Sequence, residues 1–372
     1  MATMPAISNK EISVLKKILF VFIGLILALA AFCGWFFSLL ESGSNPQKLS
    51  ETKPHNLDYL TQAPTPTRGK ILAVVTSTNT LGKTGKYTGY ELTELARAYY
   101  VFLANGFEVD IASPKGGEPP VVIDGDDMGK FDYAFLNDVD AQNKVTNSIP
   151  VSEVDASSYQ ALYFVGGKGA MFDFPDNKAI QMLVRDSYES GKVVSAVCHG
   201  PAALLNVTLS NGENLLAGKT VSSFTNAEEL FLIPDARTIF PYLLEDELGA
   251  RGATFRAGPT YLENIVQDES IITGQNPWSV WTLAEKVIQR LGYTPVKREI
   301  TAEENSVAVL LTLEMQGYKQ AEAQMRALLA SQPLSIDRNL IAMHSIVSTM
   351  QGRVGKSLKL ISLVRQAKKL QH

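Results

Sequence analysis

Cysteine and histidine are scarce in this chain of 372 residues, which contains 2 cysteines and 4 histidines. Cys33 lies inside an apolar N-terminal segment and Cys198 lies far downstream, so a disulfide framework is excluded. No group of Cys and His residues has the spacing of a zinc site, so we expect no metal. The chain also lacks a nucleotide-binding fingerprint, so we expect no cofactor.

An excess of charge of either sign is also missing. The formal net charge is -4, and charged residues make up 19% of the chain. Without a basic surface, a nucleic-acid partner is not expected. Hydrophobic residues account for 45%, which is typical of a globular protein rather than a disordered one. The length allows one large domain with additional segments.

A long uncharged run extends from Ile18 to Leu40. As a helix it would measure about 35 Å, enough to cross the ~30 Å hydrocarbon core of a bilayer. We therefore expect residues 18–40 to form a transmembrane helix that anchors a single-pass membrane protein. A signal peptide cleaved after Ala30 is the alternative, but the apolar run continues past that residue, which favours retention.

Lysines precede this run, whereas acidic and basic residues balance after it. The positive-inside rule then places residues 1–17 in the cytoplasm and the rest of the chain outside it, in the periplasm if the source is a bacterium. The lysines on which this prediction rests are Lys10, Lys16 and Lys17.

The rest of the chain divides into three parts. Residues 41–68 are polar and contain prolines, which predicts an extended tether. In residues 69–295, short apolar strands alternate with helices, so we expect an α/β fold with a doubly wound, mostly parallel, flavodoxin-like sheet. Residues 301–372 are expected to be an α-helical tail. Within the α/β part, residues 124–158 are polar and rich in Asp, and predict either a surface insertion over the site or a plain solvated loop.

The helical tail has Ala, Leu and Met at helical spacing over residues 301–330 and 336–369, with Ser331-Gln332-Pro333 between the two stretches. This pattern predicts a helix hairpin or small bundle similar to one tetratricopeptide-type unit. We expect it to pack against the main domain or another protein.

The most informative stretch runs from Lys192 to Leu205. An apolar strand ends on Cys198, His199 follows, and Gly200-Pro201 opens an Ala/Leu helix. Strand, sharp turn and helix with a thiol at the corner is the layout of a nucleophile elbow. Amides at a helix N-terminus would favour the thiolate over the thiol.

Other stretches join the elbow in a fixed order along the chain. Their sequences are Tyr87-Thr88-Gly89-Tyr90-Glu91, Val165-Gly166-Gly167-Lys168-Gly169-Ala170, Ser223-Phe224-Thr225-Asn226 followed by Glu228 and Glu229, and Thr273-Gly274-Gln275-Asn276-Pro277. With the elbow, residues 70–290 resemble the ThiJ/PfpI superfamily, which has the class I glutamine amidotransferase-like fold. They are most similar to its branch of large heat-shock chaperones and cofactor-free class III glyoxalases.

The resemblance implies a role for each matched residue. Cys198 matches the nucleophile, His199 the general base, and Glu91 the carboxyl group that contacts the thiol. Such a carboxyl group should be protonated, because a carboxylate would raise the thiol pKa. Glu229 matches the acid that orients the histidine, with Glu228 as the near alternative. Gly166, Gly167 and Lys168 match a loop whose amides, with that of His199, would form an oxyanion hole.

The histidine positions argue against a glutaminase. Class I glutamine amidotransferases take their base from a His-x-Glu far downstream of the elbow, and the predicted domain contains no such motif. The remaining histidines are His55 in the predicted tether and His344 and His372 in the helical tail. The sequence departs from the glyoxalase branch at Lys168, where relatives commonly carry His.

The leading hypothesis is therefore a cofactor-independent, cysteine-dependent enzyme that converts methylglyoxal to lactate. A related deglycase or hydrolase acting on an amide or ester would use the same groups. A membrane-tethered holdase chaperone or interaction protein without turnover is the alternative from another class. A homodimer is compatible with either hypothesis.

Overall fold

The structure is a computed structural model that describes residues 9–40, 49–61, 63–65, 67–125 and 128–371. It divides into two units: residues 44–300, and residues 1–43 together with 301–372. The strands are β1 Lys70–Val74, β2 Tyr90–Glu91, β3 Glu108–Ser113, β4 Val121–Val122, β5 Ile149–Pro150, β6 Tyr159–Phe164, β7 Val193–Val197, β8 Thr220–Val221, β9 Thr254–Phe255, β10 Ile265–Asp268 and β11 Ile271–Gly274.

Helices occur in both units. They are α1 Asn9–Leu39, α2 Asp58–Thr61, α3 Leu92–Ala104, α4 Lys130–Leu136, α5 Val139–Thr146, α6 Ala170–Asp173, α7 Lys178–Glu189, α8 Asn226–Leu232, α9 Ala236–Ile239, α10 Leu244–Ala250, α11 Val280–Arg290, α12 Ala302–Gln316, α13 Tyr318–Ser331, α14 Arg338–Met350 and α15 Val354–Gln371. Short 3-10 turns connect several of them, among them Pro54–Asn56, Val151–Glu153, Ala156–Ser158, Gly200–Leu204 and Pro277–Ser279.

A seven-stranded sheet in the order β10-β11-β7-β6-β1-β3-β5 lies at the centre of residues 44–300. All neighbouring strands in it pair in parallel except β10 and β11, which are antiparallel. The apolar strands are buried on both faces, as a parallel sheet requires: Ile71 to Val74 of β1 are at most 1% exposed. The predicted α/β class with a mostly parallel sheet is confirmed. Because β1, β6 and β7 are adjacent and parallel, the loops after them meet at one edge of the sheet.

Two expectations for this unit are wrong. Residues 49–61 of the predicted tether pack onto the domain: Leu57 and Tyr59 are buried, and the Asn137 amide donates to the carbonyls of Ser50 and Thr52. The neighbouring residues 41–48 lie outside the described part of the chain.

The predicted insertion at residues 124–158 contains α4 and α5 rather than a solvated loop. Its Phe131 and Phe135 are buried, and the Phe131 ring lies 4.9 Å from that of Trp281. These aromatic residues make the segment part of the core, whereas the Asp-rich composition predicted a surface position.

The helical unit combines α1 with the C-terminal helices. Each of the two predicted helical stretches is itself a helix pair, broken at Gly317 and at residues 351–353. Phe36 and Leu39 at the end of α1 are buried, and Nη1 of Arg338 donates to the Leu39 carbonyl at 2.8 Å. The Lys368 ammonium also donates to the carbonyl of Ser38. Two cations therefore lie at the C-terminal end of the α1 dipole, where positive charge is stabilising.

The segment Leu19–Leu39 of α1 is long and apolar enough to cross a membrane by length and composition, with a mean hydropathy of 2.5. A signal sequence near the N-terminus would meet the same criterion. Many apolar side chains of this segment are solvent-exposed; the exposed fraction is, for example, 71% for Phe20 and 63% for Leu25.

Candidate active site

Cys198 lies at the sharp corner that follows β7. Its φ of +58° is in the left-handed region, which non-glycine residues rarely adopt and which recurs at functional sites. The corner is held from both sides, because the Cys198 amide donates to the Gly274 carbonyl and the Cys198 carbonyl accepts from the Phe224 amide, each at 2.9 Å. A Cβ at Gly200 would lie 2.3 Å from the Phe164 carbonyl oxygen, so only glycine allows the chain to leave the corner this way.

The element after the corner differs from the prediction. Residues Gly200–Leu204 form a 3-10 turn of 5 residues instead of an α-helix. A helix macrodipole is therefore not the source of thiolate stabilisation here. Other groups around the sulfur must supply it.

His199 and Glu229 form a hydrogen-bonded relay with the thiol of Cys198. Nδ1 of His199 lies 3.3 Å from the sulfur of Cys198, and Nε2 lies 2.6 Å from Oε2 of Glu229. The side chains of His199 and Glu229 are 2% and 7% exposed. We assign the Nε2 proton to the hydrogen bond with Glu229, which leaves Nδ1 to exchange a proton with the sulfur or a substrate.

Glu229 is held in its ionised form. Burial raises the pKa of this carboxyl, but the charge and hydrogen bond of His199, together with the charge of Lys168, lower it below the usual value. An ionised Glu229 stabilises the imidazolium that forms when His199 accepts a proton.

Glu228, the alternative to Glu229, has a different position. Its Oε2 accepts from the amide and hydroxyl of Thr225, and its Oε1 accepts from the Tyr261 amide and from Gln275 and Asn276. These bonds cap α8 and tie it to the loops on either side of the β10–β11 pair. The geometry gives Glu228 a structural position and places Glu229 on the histidine.

The carboxyl group beside the thiol belongs to Glu94, which corrects the prediction of Glu91. An added Cβ at Gly166 would lie 2.6 Å from Oε2 of Glu94 and 2.7 Å from Cβ of Cys198, so both side chains flank one glycine. The Gly166 amide donates to Oε2 of Glu94 at 2.7 Å. Glu91 is the N-cap residue of α3, one turn earlier, and its amide donates to the Gly166 carbonyl.

Glu94 and Cys198 are a coupled, buried pair. Burial raises the pKa of Glu94 well above its usual range, and the nearby charge of Glu91 adds to this effect. Burial raises the pKa of the Cys198 thiol, and an ionised Glu94 would raise it further, whereas Lys168 and the Gly167 amide lower it. Two negative charges cannot be accommodated together in this buried space, so the pair holds at least one proton near neutral pH. Oε1 of Glu94 is buried and has no hydrogen-bond partner among the described residues, which favours a protonated carboxyl that can donate to the neighbouring sulfur.

The residues of the predicted oxyanion loop have different contacts. The Gly166 amide is already engaged by Glu94, so it is not a free donor for a substrate oxygen. The Gly167 amide lowers the pKa of the Cys198 thiol, and the φ of Gly167 is +98°. Lys168 lies next in the chain and is half-buried.

Aromatic rings surround the histidine, which the sequence motifs did not reveal. The His199 ring centroid lies 4.9 Å from that of Phe224 and 6.2 Å from that of Phe240. Phe172 stacks on Phe240 at 5.8 Å. This apolar wall excludes water from the relay and strengthens its electrostatic interactions. Among the described residues, no group of three or more His, Cys, Asp or Glu is arranged to hold a metal ion.

Glu94→Gln and Glu94→Leu form a matched pair that tests the protonation of Glu94. Gln keeps the shape, remains neutral and can donate to the sulfur, so we expect the thiol pKa to change little. Leu removes the donor, and we expect it to raise the thiol pKa by about one unit or more. The pH dependence of Cys198 alkylation by iodoacetamide measures both. A strong fall of the thiol pKa in Glu94→Gln would mean that Glu94 is ionised in the native protein.

Comparisons with known proteins identify the family of the α/β domain. Residues 86–290 match the DJ-1/PfpI family. The glutathione-independent glyoxalase hsp3102 of Schizosaccharomyces pombe is 32% identical over 217 residues, which cover 56% of this chain and 90% of that protein. Glyoxalase 3 of Candida albicans is 32% identical over 233 residues, or 59% of this chain and 97% of that protein.

Solved structures show the same similarity. Rapid Encystment Protein 24 kDa of Francisella tularensis aligns with a TM-score of 0.58 and 35% identity, covering 60% of this chain and 100% of that structure. Glyoxalase III of Candida albicans aligns with a TM-score of 0.55 and 29% identity, covering 60% and 97%. The resemblance seen in the sequence motifs is confirmed: the chain belongs to the DJ-1/PfpI family.

Proposed function

We propose that the protein is a glutathione-independent glyoxalase that converts methylglyoxal and related 2-oxoaldehydes to 2-hydroxy acids. The observation that carries the proposal is the relay from Glu229 through His199 to the Cys198 sulfur, with Glu94 beside Cys198. The names of its relatives, glutathione-independent glyoxalases about 30% identical, support the same activity.

The first step is addition of the Cys198 thiolate to the aldehyde carbon. A carbon–sulfur bond forms, the carbonyl π electrons move to oxygen, and that oxygen takes the proton that His199 accepted from the thiol. The product is a neutral hemithioacetal on Cys198. In glutathione-dependent chemistry a free thiol performs this addition, whereas here the thiol belongs to the protein.

The second step moves a proton between two carbons. Nδ1 of His199 removes the C–H proton of the hemithioacetal carbon, and the electrons form an enediolate with the adjacent ketone. His199 then protonates the former ketone carbon, and the hydroxyl proton of the sulfur-bearing carbon moves to the former ketone oxygen, which yields a 2-hydroxyacyl thioester without any net oxidation. Water cleaves the thioester, and the thiolate leaves. For methylglyoxal the net reaction adds one water and gives lactate.

Product analysis tests the proposal. The full-length protein in detergent is incubated with methylglyoxal in the absence of glutathione, and the products are identified by NMR. We expect lactate as the single product. Absence of lactate would overturn the proposal, and pyruvate or hydroxyacetone would indicate redox chemistry in place of isomerisation.

For localisation, we propose that α1 anchors the protein in a membrane with residues 1–17 in the cytoplasm and the DJ-1/PfpI domain outside it. The apolar, exposed surface of Leu19–Leu39 and the lysines that precede it support this arrangement.

Charges placed in the middle of α1 test the anchor. Each arginine at a helix centre costs about 2.5–3.5 kcal/mol on the insertion scale, so Leu25→Arg combined with Leu27→Arg should move the protein to the soluble fraction. Leu25→Ile with Leu27→Ile is the matched control and should stay with the membrane after a carbonate wash. A mature N-terminus near residue 31 in the wild type would show a cleaved signal and contradict the anchor.

A further inference from the structure

Lys168 contributes a charge at the site that the proposed steps leave unused. It follows Gly166 and Gly167 in the loop after β6, and an added Cβ at Gly166 would lie 2.7 Å from Cβ of Cys198, so this loop borders the reacting atoms. Its positive charge acts on Cys198, Glu94 and Glu229 alike and lowers the pKa of each. The side chain is half-buried rather than fully solvated. The ammonium group therefore lies within electrostatic range of the thiol and of both carboxyl groups.

This ammonium group has no anionic partner of its own. Among the residues that the structure describes, no carboxylate lies within ion-pair distance of Lys168, and its ammonium group donates no hydrogen bond. Two acidic groups near the thiol have other partners, since Glu229 pairs with His199 and Glu94 accepts from the Gly166 amide. A half-buried cation without an ion-pair partner is stabilised when an anion occupies the space beside it.

We propose that Lys168 makes this site selective for 2-oxoaldehydes that carry an anionic group, a carboxylate in the first instance. The inference rests on the proposed glyoxalase function for the reaction and on Lys168 for the choice of substrate. The sulfur takes the aldehyde carbon, so the far end of a short substrate chain is the part that can reach the ammonium group. Phe224 and Phe240 near His199 leave the chain between the two ends in apolar surroundings.

Lys168 also lowers the thiol pKa, and this second effect has to be separated from substrate selection. Loss of the charge would slow the reaction of Cys198 with every electrophile through the thiol pKa. Only the ratio between an anionic and a neutral electrophile of similar size reports selection by charge. The tests therefore compare such pairs in the wild type, in Lys168→Gln and in Lys168→Arg, which keeps the charge.

The first test needs no turnover. Iodoacetate and iodoacetamide differ in charge at nearly equal size, and peptide mass spectrometry separates alkylation of Cys198 from that of Cys33. We expect the rate ratio of iodoacetate to iodoacetamide at Cys198 to fall by about tenfold in Lys168→Gln and to persist in Lys168→Arg. The wild-type ratio should also fall with added salt, because screening weakens the attraction. An unchanged ratio in Lys168→Gln would overturn the proposal.

The second test uses two substrates of equal chain length, anionic 4,5-dioxopentanoate and neutral 2-oxopentanal. We expect the wild type to favour the anionic compound in kcat/KM by about tenfold, mainly through KM, and Lys168→Gln to lose that preference. Turnover of both compounds without a charge preference would refute the role of Lys168 and leave the glyoxalase proposal standing. If alkylation shows the charge preference but neither compound is turned over, the glyoxalase proposal and the assignment of 2-oxoaldehydes as substrates are refuted. That result would still show that the site attracts anions.

Discussion

Replacing Cys198 with alanine should abolish the formation of lactate from methylglyoxal, with kcat/KM at least about 10⁴-fold lower. The reason is that the carbon–sulfur bond creates the acidic C–H from which the reaction proceeds, and no other described residue at the site has a thiol. The side chain is small and buried, so we expect the variant to fold. Equal far-UV and near-UV circular dichroism of the two proteins would verify this.

Cys33→Ser is the matched control for this prediction. Cys33 lies in α1, away from the elbow in the sequence and in the other structural unit. The control should retain wild-type activity. Activity of Cys198→Ala above a few per cent of wild type would contradict a covalent role of the thiol.

His199→Asn should lower kcat by about 10³-fold, because proton removal from the hemithioacetal carbon loses its base. Glu229→Gln should lower kcat by about 10²-fold or more, because the amide no longer stabilises the imidazolium and favours the wrong tautomer. Steady-state kinetics with methylglyoxal measure both effects. Gln keeps the size of the Glu229 side chain, whereas Asn is smaller than the imidazole of His199 but keeps a polar group at that position.

Glu228→Gln is the control that separates the two neighbouring glutamates. Glu228 accepts hydrogen bonds from the Thr225 and Tyr261 amides, so its replacement should lower the melting temperature and affect kcat much less. Glu229→Gln should show the reverse pattern. If Glu228→Gln loses kcat and Glu229→Gln does not, the assignment of the histidine partner is wrong.

The sequence predicted the sheet and the sharp corner at Cys198 correctly because their signals are local. Buried parallel strands are continuous apolar runs, and the Cys198-His199-Gly200-Pro201 corner follows one of them directly. Tertiary contacts decide the rest. Glu91 and Glu94 are three positions apart at the start of one helix, so the same type of side chain occurs on two neighbouring turns. The local sequence does not tell which of the two carboxyl groups lies beside the thiol. Only the packing of α3 against the loop after β6 selects Glu94.

The predictions for the Gly166 amide and for residues 124–158 were wrong for different reasons. Gly166 matches the family motif, but whether its amide faces a substrate or Glu94 depends on a side chain distant in sequence. The Asp content of residues 124–158 indicated a surface position, although part of this segment also has apolar residues at helical spacing. Phe131 and Phe135 are spaced i, i+4 and form one buried helix face, which a count of apolar periodicity would have found.

The most direct test of the central claim, that Cys198 is a catalyst and not a consumed scavenger, is the number of methylglyoxal molecules converted per chain. Purified full-length protein is incubated with a large excess of methylglyoxal without glutathione, and lactate is quantified over time. We predict many equivalents of lactate per chain, with Cys198 recovered unmodified at the end. Loss of at most one equivalent of methylglyoxal, with a stable adduct on Cys198, would contradict it.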